Sequence, residues 1–150
     1  KLDMSIYSER VLYTSQIDLI SSKISSNKLL RKALINYQRR FPKIQKKRIK
    51  HVIIEGRDIG TVIFPRAKVK FFMWANSKIR AKRRYNHDKK TSKKAKLSLI
   101  HKEIDRRDLR DMTRKVAPMI PAADSYLIDN TNYDIPQTFN AILKILNEKN

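Results

Sequence analysis

The chain has 150 residues, no cysteine and a formal net charge of +21 at pH 7. This length suits one domain, over residues 1–150, and we expect a monomer. The lack of cysteine excludes a disulfide framework and a thiolate metal site, and it favours a reducing compartment such as the cytoplasm. No apolar run approaches the roughly 20 residues that span a membrane, so no membrane partner is expected. Because the first residue is Lys1 and not methionine, we expect the native protein to have an upstream segment.

The positive charge predicts attraction to polyanions such as nucleic acid. Lysines are nevertheless spread from Lys1 to Lys149, and the one dense stretch, residues 89–96, lies in a polar segment. Two explanations therefore stay open. The charge is either a background bias of composition or a surface that binds nucleic acid or other anions without sequence preference.

The N-terminal part of the chain predicts two helices followed by a strand. Apolar residues recur at helical spacing through residues 11–41, with a break around Ser25–Asn27. A basic connector is expected over residues 42–50. The β-branched run His51–Glu55 then predicts a buried strand that stops at Gly56.

A second strand is predicted within Val69–Trp74, after a turn at Pro65. Asn76 or Ser77 is suited to cap the helix that is predicted over residues 78–85. This part of the sequence indicates a strand that leads directly into a helix.

The last third of the chain repeats this alternation. A loop is expected at residues 89–96, and a helix over Leu97–Arg114 that ends before Pro118. Tyr126–Ile128 predicts a third strand, and Ile135–Leu146 an amphipathic helix. Strands that alternate with helices predict an α/β fold with a parallel sheet.

The segment EGRDIGT, residues 55–61, contains the only glycines of the chain, Gly56 and Gly60. It follows the first predicted strand, at the edge where open α/β sheets bind their ligands. Glycines here predict unusual backbone geometry or a close approach that a side chain would block. A strand-end turn with a surface ion pair is the alternative.

A second group of charged residues lies on the helix predicted over Leu97–Arg114. Arg107, Asp111 and Arg114 stand at i, i+4 and i+7, so they share one helix face. Guanidinium groups bind phosphate oxygens in bidentate fashion, and an aspartate between them can orient them and accept from a ribose hydroxyl. A solvated face with weak ion pairs is the alternative, and the same choice applies to Arg83 and Arg84.

Three segments in this order, EGRDIGTVIFP, VKFFMWANSKIRAKRR and RRDLRDMTRKVAPMIPAADSYLIDNT, resemble bacterial cytidylate kinase. Enzymes of this family transfer the γ-phosphoryl group of ATP to CMP or dCMP in pyrimidine nucleotide metabolism. The resemblance runs from about Leu2 to the C-terminus and implies a three-layer α/β/α sheet of the P-loop nucleoside monophosphate kinase type. We expect this fold to be incomplete at the N-terminus, because these residues contain no G-x-x-x-x-G-K-[ST] phosphate loop.

The resemblance also implies which residues bind the substrates. The implied CMP-binding residues are Ser22, Arg31, Arg57, Asp58, Arg107, Asp111 and Arg114. Ser22, Arg31 and Asp58 would read the cytosine ring, Arg57 and Arg114 would hold the phosphate, and Arg107 and Asp111 would hold phosphate and ribose. The arginines among them, Arg57, Arg107 and Arg114, would be catalytic. Arg83 and Arg84 would bind ATP.

The resemblance further implies CMP-binding helices over about residues 9–41 and a mobile lid over about residues 85–103. Mg²⁺ would enter on the ATP phosphates, and no protein metal ligand is expected among these residues. We expect the chain alone to lack kinase activity, for want of the phosphate loop. The alternatives are a basic nucleic-acid- or anion-binding module without catalysis, and a kinase of the same fold with another acceptor nucleotide.

Overall fold

The protein, seen here in a computed structural model, is described over residues 15–45, 51–91 and 96–149. Its elements in chain order are α1 (Ser15–Ile24), α2 (Lys28–Gln45), a short π-helix (Ile59–Ile63), β1 (Phe71–Trp74), α3 (Ser77–Thr91), α4 (Leu97–Thr113), β2 (Tyr126–Asp129) and α5 (Ile135–Asn147). None of the helices in these ranges is both long and apolar enough to cross a membrane.

The predicted pair of N-terminal helices is confirmed over the described residues, with the break where it was expected. The side chain of Asn27 begins α2, because its Oδ1 accepts from the backbone N–H groups of Leu29 at 3.0 Å and Leu30 at 3.1 Å. The predicted connector was wrong in its first part, since α2 continues through Pro42 to Gln45. A proline within a helix removes one backbone hydrogen bond, and here the helix tolerates that loss. Residues 11–14 and 46–50 lie outside the described residues.

The predicted parallel sheet is confirmed in a small form. Strands β1 and β2 pair in parallel, with Phe71 opposite Tyr126 and their rings 6.0 Å apart. Helices α3 and α4 connect the two strands and pack against each other, and Ala81 on α3 and Ile100 on α4 are buried. The chain is therefore an α/β protein with an incomplete sheet.

The strand predicted at His51–Glu55 was wrong. This segment has no strand pairing in the described structure, and Ile53 is 97% exposed. A β-strand needs a neighbour to satisfy its backbone N–H and C=O groups, and β1 and β2 are the only paired strands among the described residues. The segment is apolar, as its sequence indicated. Its burial as a strand would require pairing with a neighbouring strand, and the described residues show none.

Asn76 caps α3, as predicted, because its Oδ1 accepts from the N–H of Lys78 at 2.9 Å. The helix ends at Thr91, well beyond the predicted end at residue 85. The predicted loop over residues 89–96 was therefore wrong in its first part, because these polar residues extend the helix. Residues 92–95 lie outside the described structure.

Helix α4 confirms the predicted helix after the loop, and α5 begins with a capping box. Asp134 accepts from the backbone N–H of Gln137 at 2.7 Å, and Gln137 accepts from the N–H of Asp134 at 2.9 Å. The apolar side of α5 is only partly covered, since Phe139 is exposed. Strand β2 likewise exposes Leu127, so the small sheet leaves apolar surface uncovered on this side.

Lys70 anchors the segment that leads into β1. Its ammonium group is buried and donates to the carbonyl of Pro65 at 2.6 Å and to both carboxylate oxygens of Asp124 at 2.7 and 2.6 Å. The hydrogen bond from Lys70 is the main reason why the pKa of Asp124 lies below its ordinary value. Gly60 packs on the Lys70 stem, where an added Cβ would lie 3.3 Å from Cδ. The close approach predicted for this glycine is confirmed, while neither glycine has a positive φ.

Replacing the exposed partner of this pair should destabilise the fold in a pH-dependent way. We expect Asp124→Asn to lower the melting temperature at neutral pH, because the buried ammonium of Lys70 loses its counter-charge. The folded-state pKa of Asp124 is lower than the unfolded one, so its contribution is complete above about pH 4 and is lost as the pH falls through the folded-state pKa. The difference between the two proteins should therefore shrink in acid.

Thermal melts followed by circular dichroism across the acidic range measure this effect. Glu148→Gln is the matched control, because it removes an exposed carboxylate that forms no ion pair with the described residues. A difference between Asp124→Asn and the wild type that persists unchanged in strong acid would contradict the assignment.

Candidate active site

The carboxylate of Asp111 is the centre of a charged cluster. Asp111 lies on α4 and is 2% exposed. Its oxygens lie near three guanidinium groups, at 3.4 Å from Arg57 Nε, 3.8 Å from Arg107 Nε and 3.6 Å from Arg114 Nη1. Ser22 Oγ donates to Oδ1 at 2.9 Å. These five residues are called the Asp111 cluster below.

Three separate parts of the chain build this cluster. Arg107, Asp111 and Arg114 share one face of α4, as their spacing predicted. Arg57 comes from the loop before the π-helix, and Ser22 from the last turns of α1. The predicted alternative of a solvated face does not hold for Asp111, because a buried carboxylate requires the partners that surround it.

An ion pair outside the Asp111 cluster joins α2 to the EGRDIGT segment. Arg31 on α2 forms an ion pair with Asp58, and both side chains are largely buried. Arg31 also donates from Nη1 to the carbonyl of Ser25 at 3.2 Å. The carbonyl of Asp58 accepts from the N–H of Val62 at 2.9 Å, so the start of the π-helix fixes the position of this carboxylate. The EGRDIGT segment thus supplies one member to each group, Arg57 to the cluster and Asp58 to the pair.

Arg114 joins the two groups. It donates from Nη1 to Ser25 Oγ at 2.6 Å and from Nε to the carbonyl of Ala117 at 2.6 Å, and its side chain is 8% exposed. Ala117 has φ 51°, the only positive φ of a non-glycine residue in the described chain. Such a conformation is sparsely populated and is found where surrounding contacts hold the backbone. Ser25 was missed from the sequence, although its place in the turn between α1 and α2 put it beside Ser22.

An open cleft of about 370 Å³ adjoins Arg31. It lies between α2, the π-helix and the segment after α4, and its lining residues are Lys28, Arg31, Lys32, Ile35, Asn36, Val62, Val116 and Ala117. This volume lies in the range of small-molecule sites. The lining of the cleft combines apolar side chains such as Ile35 and Val62 with the cationic side chains of Lys28, Arg31 and Lys32.

The two arginines predicted to bind ATP point in different directions. Arg83 donates to the carbonyls of Asn130 at 2.7 Å and Tyr133 at 2.9 Å, and so holds the loop after β2. Arg84 instead contacts Asp18 on α1, at 3.1 Å from Nη1. Neighbouring residues on a helix do not share a face, which explains the difference.

Asp18 is a functional candidate that sequence reasoning missed. One of its oxygens accepts from Arg107 Nη1 at 2.6 Å, and the other from Arg84 at 3.1 Å. The signal was present, because Asp18 precedes Ser22 by one helical turn and therefore lies on the same face of α1.

Arg57 is the member of the cluster most open to a ligand. Its side chain is 44% exposed, whereas Asp111 behind it is buried. Several cations around one carboxylate leave donors available to a second anion, and bidentate guanidinium groups suit phosphate in particular. Within the described ranges no group of three histidine or acidic residues is arranged to hold a metal ion. The chemistry offered by the side chains is therefore anion binding by arginine.

The buried carboxylate of Asp111 should also contribute to the free energy of unfolding. We expect Asp111→Asn to lower the free energy of unfolding by about 2–3 kcal/mol, below the usual cost of breaking a buried pair because two of the three arginines are partly exposed. Urea denaturation at neutral pH measures the change.

Asp105→Asn is the control on the same helix, because Asp105 is exposed and its ion pair among the described residues is with His101. It should change stability by less than about 0.5 kcal/mol. Equal stability of Asp111→Asn and the wild type would show that the cluster does not hold the helices together.

Comparison with known proteins shows which family the chain belongs to. Residues 4–148 match the family model described as cytidylate kinase. The chain is 36% identical over 139 residues to a cytidylate kinase of Bartonella tribocorum, which covers 93% of this chain and 63% of that protein. It is 37% identical over 139 residues to the cytidylate kinase of Colwellia psychrerythraea, covering 93% of the chain and 59% of the relative.

A cytidylate kinase of Thermosipho melanesiensis is 38% identical over 136 residues, covering 91% of this chain and 60% of that protein. The chain thus spans about three fifths of the length of these relatives. The two parallel strands and their crossover helices agree with the P-loop nucleoside monophosphate kinase fold in incomplete form. A match over nearly all residues, together with this fold, shows that the chain belongs to the cytidylate kinase family.

Proposed function

We propose that this chain carries the acceptor site for CMP or dCMP, and that the whole protein transfers the γ-phosphoryl group of ATP to it. The observation that supports the proposal most directly is the Asp111 cluster, in which one buried carboxylate orients three arginines from two parts of the chain. Membership of the cytidylate kinase family, together with relatives that are named cytidylate kinases, supports the proposed reaction. Cytoplasmic nucleotide metabolism, a single domain and a monomeric state are part of the same proposal.

In this proposal the Arg31–Asp58 pair and Ser22 read the base. The guanidinium group can donate to the carbonyl and ring nitrogen of cytosine, and a carboxylate can accept from its amino group. The cleft beside Arg31 provides apolar walls for the ring. The ion pair already holds Arg31 and Asp58 next to each other. In this proposal it preorganises the site for a base that has both hydrogen-bond donors and acceptors on one edge.

The phosphate of CMP would then face the arginines of the Asp111 cluster. Arg57 and Arg114 are proposed to clamp it, and Arg107 with Asp111 to hold phosphate and ribose. Phosphoryl transfer asks little covalent chemistry of the protein, since in-line positioning and neutralisation of oxygen charge are what it must supply. Mg²⁺ on the ATP phosphates would neutralise the remaining charge.

The two residues that we propose for ATP binding, Arg83 and Arg84, lie on α3. Arg84 lies close to the cluster through Asp18, whereas Arg83 holds the loop after β2. We propose that Arg83 contacts the adenine side of ATP from this fixed position. The proposed lid, residues 85–103, includes the end of α3 and the start of α4, and its closure would exclude water from the transfer.

The alternative of a basic nucleic-acid-binding module is less well supported. The arginines of the site are paired with aspartates inside the fold and do not form an exposed stripe. Binding to nucleic acid without base preference, with a steep loss of affinity as salt is raised, would favour that alternative.

Selective stabilisation by CMP is the first expected outcome. CMP should raise the melting temperature of the 150-residue chain at moderate salt more than AMP or UMP does, because a ligand of the native state stabilises it by an amount that grows with concentration. Differential scanning fluorimetry with the three nucleotides measures this. A cooperative melt that none of them shifts would count against the acceptor site.

Arg57→Ala tests whether the cluster carries this effect. Loss of a charge-assisted hydrogen bond of about 1.5–3 kcal/mol should weaken CMP binding by roughly 10- to 100-fold. Arg66→Ala is the matched control, because Arg66 is exposed, forms no ion pair with the described residues and removes the same charge. Equal weakening in both variants would point to net charge alone.

The chain by itself should not act as a kinase. Its residues contain no phosphate loop to hold the β- and γ-phosphates of ATP. We therefore expect no CMP-dependent formation of ADP above that of a boiled sample in a coupled assay. Turnover above this control would show that the 150 residues hold ATP by other means.

A further inference from the structure

The carboxylate of Asp18 lies between guanidinium groups of two different helices. It accepts from Arg107 of α4 at 2.6 Å and from Arg84 of α3 at 3.1 Å, and each of the two cations uses a separate oxygen. All three side chains are about 30% exposed, so solvent and small anions can reach the place. Asp18 thus connects α1 to both helices of the crossover.

Two arginines on one anion form the arrangement that binds phosphate groups elsewhere in proteins. A carboxylate offers the same kind of charged oxygen acceptor as a phosphate, but it is smaller and carries less charge. The Nε of Arg107 is buried and has no hydrogen-bond partner among the described residues. Arg107 Nε lies 3.8 Å from Oδ2 of Asp111, which is an ion-pair contact without a hydrogen bond.

We propose that Asp18 is an internal anion that occupies a phosphate subsite between Arg84 and Arg107. A phosphate group must displace the carboxylate to reach both arginines, so Asp18 lowers the affinity of the site and ties α1 to α3 until the ligand arrives. The identity of that ligand as a nucleotide phosphate rests on the proposed function. The subsite itself rests only on the contacts of these side chains.

In this proposal the contacts of Asp18 are weak enough for a phosphate to displace it reversibly. The carboxylate and the arginines are partly exposed, and exposed ion pairs contribute only about 0.2–1 kcal/mol. Arg84 has a second carboxylate, Asp88, at 3.6 Å, and Arg107 has Asp111, so neither arginine is left without a counter-charge when Asp18 moves away. A more charged anion can therefore compete for the place.

Neutralising the carboxylate is the direct test. We expect Asp18→Asn to bind inorganic pyrophosphate about two- to fivefold more tightly than the wild type, because the competing anion is gone. Isothermal titration calorimetry of the 150-residue chain at low salt gives the two affinities. Asp18→Glu should stay near the wild type, because it restores a carboxylate.

Asp105→Asn is the matched control, since it removes the same charge from α4 at a position where the carboxylate contacts a histidine, His101. Tighter binding by Asp18→Asn than by Asp105→Asn supports the subsite, and equal binding overturns it. A purely structural role predicts a lower melting temperature of Asp18→Asn with unchanged or weaker affinity, which also overturns the proposal.

A measurement on the unaltered protein covers the case in which the variant does not fold. The ¹³C resonance of the Asp18 carboxyl should shift as pyrophosphate is added, while that of Asp105 should not. Binding of pyrophosphate without a shift at Asp18 overturns the proposal. Because pyrophosphate has no base, these results are independent of CMP selectivity, and the subsite and the proposed function can fail separately.

Discussion

The contact between the buried carboxylate of Asp111 and its three guanidinium neighbours is the interaction on which the described arrangement depends. Burial of a carboxylate that is 2% exposed is costly unless cations and hydrogen-bond donors surround it, and the cations come from α4 and from the loop before the π-helix. Ser22 adds a hydrogen bond from α1. The same contact therefore fixes the relative positions of two helices and a loop, and aims cations at the place where we propose a phosphate binds.

The chain has many more basic than acidic residues, and its aspartates form ion pairs within the fold. Seven aspartates take part in the ion pairs of the described residues: Asp18, Asp58, Asp88, Asp105, Asp108, Asp111 and Asp124. Several of them join elements that are distant in sequence, such as α1 with α3 or α2 with the EGRDIGT segment. Asp18 and Asp111 each contact two or more arginines, and the carboxylate offsets the repulsion between these cations.

Much of the site could be read from the sequence, for reasons that are local. Helical spacing placed Arg107, Asp111 and Arg114 on one face, and this was confirmed because i, i+4 and i+7 are neighbours in any α-helix. The cap at Asn76 and the helices of the last third followed from equally local rules. The resemblance implied ATP binding for both Arg83 and Arg84, and the structure gives them different contacts because adjacent residues leave a helix in different directions.

By itself, the sequence determined the α/β alternation, most helix positions and the types of residue available to bind an anion, because these depend on periodicity and on side-chain chemistry. Only the tertiary structure decided which charged residues from distant parts of the chain contact each other. Asp18 and Arg107 are 89 residues apart, and so are Ser22 and Asp111, and no local rule links such positions. The apolar run at His51–Glu55 shows the same limit, since its residues fit a strand but pairing depends on a neighbouring strand, and the described residues provide none.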